Sequence, residues 1–143
     1  MLEKMKPEDL AQVMEVWQES TIQGHPFVPQ SYWEQNREKV EREYLPQAQT
    51  WVWRQQGKVL GFASVMFGGY LGALFVRPEA QGQGIGSQLL AHCQKQFPAL
   101  VLAAYCENKK AVAFYQRHGF VIFQEQEGQP KPHREYVMEW KKA

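Results

Sequence analysis

The spacing of apolar positions along the chain alternates between a helical and a strand-like period. Leu2 to Met5 reads as a short edge strand, and Pro7 stands where proline suits the first turn of a helix. That helix is expected to run to about Ser20, with Leu10, Val13, Met14 and Trp17 as its buried stripe. Thr21 to Gln30, broken by Gly24, Pro26 and Pro29, reads as a loop. Ser31, three residues before Glu34, has the spacing of a capping box for a second helix through Tyr44, which Pro46 closes. From Thr50 the period becomes two. Trp51 and Trp53, then Val59, Gly61, Ala63 and Val65, flank Gln56-Gly57, the pattern of a hairpin turn between antiparallel strands.

Gly68-Gly69 next turns the chain into the apolar run Leu71 to Val76, which Pro78 ends because proline has no N–H to give a sheet ladder. The stretch Gln81-Gly82-Gln83-Gly84-Ile85-Gly86 follows. It opens a third helix, whose apolar positions Ile85, Leu89, Leu90, Cys93 and Phe97 recur at three- and four-residue steps. Pro98 stops it, and Leu100 to Ala104 is a short continuous apolar run, as in a strand buried on both faces. Asn108 to His118 is a fourth helix with Gly119 as its terminating glycine. Phe120 to Phe123 and Tyr136 to Trp140 are two last strands, joined by a hairpin loop from Gly128 to His133. This order predicts a single α/β domain over residues 1–143. Its centre is a mixed, mainly antiparallel sheet with a parallel crossover after the glycine loop, flanked by about four helices.

Composition narrows the class. The 143 residues suffice for one core. A formal charge of +1, with lysines and arginines dispersed, argues against a nucleic-acid partner. No apolar run approaches a membrane span, and Met1 to Lys6 has no apolar leader core. Cys93 and Cys106 are too few for a disulfide framework, so a reduced, cytoplasmic protein is expected. These cysteines and His25, His92, His118 and His133 show no spaced ligand pattern, and no metal is expected.

Two stretches carry candidate chemistry. Glycines at alternate positions leave no Cβ in the way, so several N–H groups can converge at the start of a helix, where they are unpaired and suit a phosphate or pyrophosphate. A tight turn with no ligand explains the same residues. Gly82 and Gly84 also begin the dinucleotide-binding pattern G-x-G-x-x-G, with Glu107 about twenty residues on. Its third glycine position is Ser87, however, and a hairpin and two helices precede the loop. In the second stretch, Asn108 and Tyr115 lie seven residues apart, on nearly one helix face and about 10 Å apart along the axis. Asn108 equally suits a helix cap, and Tyr115 a core aromatic.

Taken together, these stretches resemble the GNAT superfamily of N-acetyltransferases. Gln81 to Gly86 matches its signature of Arg or Gln, two residues, Gly, one residue, then Gly or Ala. Leu74-Phe75-Val76-Arg77-Pro78-Glu79 looks like the strand approaching that loop, and Asn108 to Tyr115, followed by His118-Gly119-Phe120, like the family's second motif. The resemblance implies acetyl-CoA as donor, with its pyrophosphate on the amides of Gly82, Gln83, Gly84, Ile85, Gly86 and Ser87. It also implies pairing of Leu74, Phe75 and Val76 with the pantetheine arm, an Asn108 contact to that arm, and Tyr115 as the acid that protonates the departing thiolate. Lys109 and Lys110 either reach a coenzyme phosphate or are ordinary surface charges.

The sequence departs from the family at Ala103, where some members place a glutamate base. His25, Tyr105, Glu107 or ordered water remain as bases. The acceptor is expected to be an amine, on a protein lysine or N-terminus or on a small molecule, with a slight preference for protein amines. Phe27, Val28, Tyr32 and Trp33 either line an apolar acceptor pocket or staple the second helix to the sheet. A non-catalytic acyl-CoA-binding module is the alternative to an enzyme.

Overall fold

The computed structural model describes residues 1–143. Seven strands form one sheet in the order β1-β2-β3-β4-β5-β7-β6. They are β1 (Leu2–Lys4), β2 (Gln49–Gln55), β3 (Lys58–Met66), β4 (Tyr70–Val76), β5 (Ala99–Tyr105), β6 (Val121–Glu127) and β7 (Arg134–Lys141). Four helices flank it: α1 (Leu10–Gly24), α2 (Gln30–Lys39), α3 (Ile85–Gln96) and α4 (Lys109–Arg117). All neighbouring strands are antiparallel except β4 and β5, which α3 connects in parallel. The expected α/β class and crossover are therefore present.

The hairpin at Gln56-Gly57 forms as expected. Both residues have positive φ, +52° and +77°, the primed-turn geometry that matches strand twist. The strand that follows is buried on both faces. Val59, Phe62, Ala63 and Val65 are all buried, because β3 is central and has helices over both faces. Val13, Met14, Val16 and Trp17 of α1 cover Val52, Val59 and Phe62 on one face. Ile85, Leu89, Leu90 and Cys93 of α3 cover Ala63, Val65, Leu100, Leu102 and Met138 on the other.

Three boundaries and the burial of one strand differ from the sequence expectation. α1 runs on to Gly24, since nothing between Thr21 and Gln23 breaks a helix and Thr21 is buried. α2 begins at Gln30, not after a Ser31 cap. Pro29 is the last extended residue, its carbonyl takes the Tyr32 N–H at 3.0 Å, and Glu34 bonds Gln30 instead of closing a capping box. Regular α-helix also ends at Lys39, after which Val40–Tyr44 widens into a π-type turn. Pro46, whose ring would crowd the carbonyl four residues back, accounts for that loosening. Finally, β5 is not buried throughout. Leu100, Leu102 and Tyr105 are buried, whereas Val101, Ala103 and Ala104 are half-exposed, and Leu102 to Tyr105 border a cleft.

Candidate active site

The parallel neighbours β4 and β5 share a single register pair, Tyr70 with Val101. One bond, from the Val101 N–H to the Gly69 carbonyl at 2.9 Å, closes this end. Beyond it the strands part, and the gap is a cleft of about 670 Å³. Ligands of parallel α/β units collect at the carboxyl ends of the strands, where this cleft opens.

The main chain of β4 supplies one wall. The Arg77 N–H reaches back to the Leu60 carbonyl on β3 at 2.7 Å. By strand alternation Phe75 also turns its main chain to β3, while Leu74 and Val76 turn theirs to the cleft. There the Val76 carbonyl accepts from Ser20 Oγ at 2.9 Å and Gln81 Nε2 at 3.0 Å, so the Gln81 side chain pins the glycine loop to the strand. Ser64 pairs with Ala73 but Val65 with Leu71, which makes Gly72 the extra residue of a bulge at the cleft. A lone glycine within a strand was the available sign of it.

The glycine loop flanks the open end, after the carboxyl end of β4. Gly82 and Gly84 hold φ of +83° and +84°, a region that side chains with a Cβ resist. The α3 ladder starts with the Gln88 N–H on the Gly84 carbonyl at 3.1 Å, so the amides up to Ser87 precede it. No side chain caps that end and its first turn holds no acidic residue. Gln83 is exposed on the loop, Ile85 is buried beneath it, and Gly86 lines the cleft between Val76 and Phe114. Ser87 Oγ lies 3.2 Å from His118 Nε2 and ties α3 to α4.

Asn108 and Tyr115 face the cleft from α4, as their seven-residue spacing predicts. Asn108 is also the helix cap, its Oδ1 accepting the Ala111 N–H at 3.2 Å. Its Nδ2 lies 3.2 Å from His25 Nε2, and His25 Nδ1 lies 2.8 Å from the Thr21 carbonyl. A carbonyl can only accept, so Nδ1 carries the proton and Nε2 accepts from Asn108. This relay joins the end of α1 to the start of α4 across the cleft. The Tyr115 ring packs edge-on against Phe114 and Phe120 at 5.3 and 5.5 Å, and burial pushes its phenol well above the ordinary value of 10. It stays protonated through neutral pH.

The three side chains expected as bases are all engaged. His25 Nε2 is occupied by Asn108. The Tyr105 hydroxyl donates to the Gln129 carbonyl, and burial raises its pKa. Glu107 pairs with His133 Nδ1 at 2.5 Å and does not line the cleft. Glu107 is thus no ribose-binding acid either. Of the apolar residues before α2 and in its first turn, Tyr32 and Trp33 line the cleft, whereas Val28 is buried and Phe27 packs on Tyr105 and His133. Trp33 also meets Trp17 edge-on at 6.3 Å, so one ring both staples α2 and walls the cleft. Lys110 borders the cleft; Lys109 is exposed outside it. Tyr70 and Glu135 line it too, and no local sequence signal marked either.

Burial holds His25, His92 and His118 below the ordinary histidine value of 6.5. The folded state therefore takes up fewer protons than the unfolded chain once pH falls below about 6.5. Stability is full above that pH and is lost as pH falls through it. In urea titrations from pH 7.5 to 5, His25→Gln is expected to give a slope shallower by up to about 1.4 kcal/mol per pH unit, the value of one proton.

The comparisons with known proteins agree with this geometry. Residues 46–122 match the family described as acetyltransferase (GNAT) domain. The chain is 43% identical over 122 residues to the peptidyl-lysine N-acetyltransferase YiaC of Escherichia coli K12, spanning 85% of this chain and 84% of that one. It is 30% identical to the peptidyl-lysine N-acetyltransferase YjaB of Salmonella typhimurium over 85% and 83% of the two chains. The solution structure of apo YjaB from Escherichia coli superposes with a TM-score of 0.83 at 24% identity, over 100% of this chain and 98% of that one. The PaiA N-acetyltransferase of Thermoplasma acidophilum, solved in complex with coenzyme A, has the same fold, with a TM-score of 0.81 at 19% identity over 99% and 98%. With its glycine loop, split strands and matched domain in place, the chain belongs to the GNAT acetyltransferase family and is an N-acetyltransferase.

Proposed function

We propose that this enzyme, acting as a single domain, moves the acetyl group of acetyl-CoA directly to the side-chain amine of protein lysines. The observation that carries the donor is the cleft between β4 and β5, with uncapped helix amides at one end and Tyr115 beside it. A pyrophosphate fits the amides of Gly82 to Ser87, which no Cβ or acidic side chain obstructs at positions 82, 84 and 86. The cleft-facing main chain of Leu74 and Val76 lies where an amide-bearing arm would add to the strand, and the free Asn108 amide proton faces the same space. The near relatives named as peptidyl-lysine acetyltransferases support lysine as acceptor.

The chemistry suits these groups. As an amine attacks the thioester, charge develops on the carbonyl oxygen, and fixed N–H donors of β4 stabilise it. The C–S bond then breaks and the thiolate, of pKa near 8.5, takes the Tyr115 proton. Thiol release from acetyl-CoA, measured against lysine peptides, lysine-free peptides with open N-termini and small amines, tests the reading. Turnover is expected with lysine peptides; equal or better turnover with the lysine-free peptides would overturn it.

A further inference from the structure

With His25, Tyr105 and Glu107 engaged, the proton and charge of an acceptor ammonium need another partner. The sheet provides one. Ala103 of β5 pairs with Val137 of β7, and Tyr105 pairs with Glu135. Directly paired residues share a face, and so do residues two apart on one strand. Glu135 therefore stands diagonally across from Ala103, about 7–8 Å away by strand geometry, on the same face of the sheet. The glutamate missing from β5 is matched by one on the neighbouring strand, and the small Ala103 side chain leaves room beside it.

We propose that Glu135 is the carboxylate that receives the acceptor lysine's ammonium, with Tyr32 of α2 and Tyr70 of β4 enclosing its aliphatic stem. The proposal rests on the lysine reading above. Glu135 is the only carboxylate lining the cleft. The one ammonium lining it, Lys110, belongs to the first turn of α4. Glu135 takes part in no ion pair of the fold. Its Oε1 accepts from Gln126 Nε2 at 3.1 Å, which orients the carboxylate without neutralising it. Its charge reaches both rings: after burial, Glu135 is the next largest influence raising the Tyr32 and Tyr70 phenols. Phenol rings beside an anion are a favourable surround for a cation on a methylene stem.

The bound ammonium loses one proton to water through the carboxylate, at a cost of roughly 4 to 5 kcal/mol at pH 7 for an amine of pKa 10.4. The neutral nitrogen forms the C–N bond, the C–S bond breaks, and the thiolate is protonated from Tyr115. The nitrogen's second proton restores Tyr115 through water. One proton is released per acetyl-lysine and thiol formed. The first proton passes to water, and the carboxylate contributes by binding the cation.

Glu135→Gln tests this, because it keeps the shape and the Gln126 contact while removing the charge. KM for a lysine peptide is expected to rise at least tenfold, with KM for acetyl-CoA and thermal stabilisation by acetyl-CoA unchanged and with partial recovery in Glu135→Asp. An unchanged lysine KM in an active Glu135→Gln enzyme overturns the proposal while leaving the lysine reading intact. Wild type inactive on every lysine peptide brings down that reading, and the proposal with it. A second readout is independent of turnover: binding of the lysine peptide against its norleucine counterpart. Wild type is expected to prefer lysine at least tenfold and Glu135→Gln less than threefold; equal preference in the two proteins refutes the role.

Discussion

Tyr115→Phe is expected to lower kcat ten- to a hundredfold while acetyl-CoA binds as before. The variant removes one oxygen from a ring held by Phe114 and Phe120 at 5.3 and 5.5 Å, so packing and the cleft wall survive. What disappears is the only proton donor we assign to the leaving sulfur. A thiolate of pKa near 8.5 is a tolerable leaving group unaided, which sets the lower end; general acids typically contribute about a hundredfold or more, which sets the upper. Because burial raises the phenol above 10, the acid form persists to high pH. The wild-type alkaline limb should therefore show no loss of the acid until well past pH 10, where stability permits measurement. Thiol release at saturating lysine peptide gives kcat, and titration with acetyl-CoA gives affinity. Equal turnover in the two proteins would make Tyr115 a packing residue and return the role of acid to water.

The elements of this fold were legible because punctuation and period agreed at most boundaries. Gly57 with Gln56, Pro78, Pro98 and Gly119 each end an element where the chain turns. The glycine loop and the Asn108–Tyr115 face were equally legible, since both depend on local spacing. What failed depended on which strands became neighbours. Period two in β3 gave no hint that α1 would bury the second face, and the apolar run of β5 gave no hint that β4 would leave it after one pair. Glu135 was invisible for the same reason: its relation to Ala103 exists only through the β5–β7 register, thirty-two residues apart in sequence. His25 and Asn108 were each identified singly, but their hydrogen bond spans 83 positions and engages the histidine that the loop had offered as a base.

Gly84→Val is expected to weaken acetyl-CoA binding by roughly thirtyfold, about 2 kcal/mol, without unfolding the protein. Nothing lies within 4 Å of a Cβ built on Gly84, so crowding is not the cause. The backbone is. Gly84 caps α3 at φ +84°, and a β-branched residue is strongly disfavoured there. Valine relieves the strain by rotating the peptide planes on either side, which swings the amides of residues 84 and 85 out of line with the rest of the loop. Those amides are the proposed pyrophosphate donors, and their convergence supplies the binding energy. Gly84→Asn is the control, since asparagine tolerates the left-handed region far better and should recover most of the affinity. Isothermal titration with acetyl-CoA, with far-ultraviolet circular dichroism on each variant, separates the outcomes. Weak binding by the valine variant together with near-normal binding by the asparagine variant assigns the loss to backbone conformation. Normal binding by both would mean that the α3 amides carry little of the coenzyme's affinity.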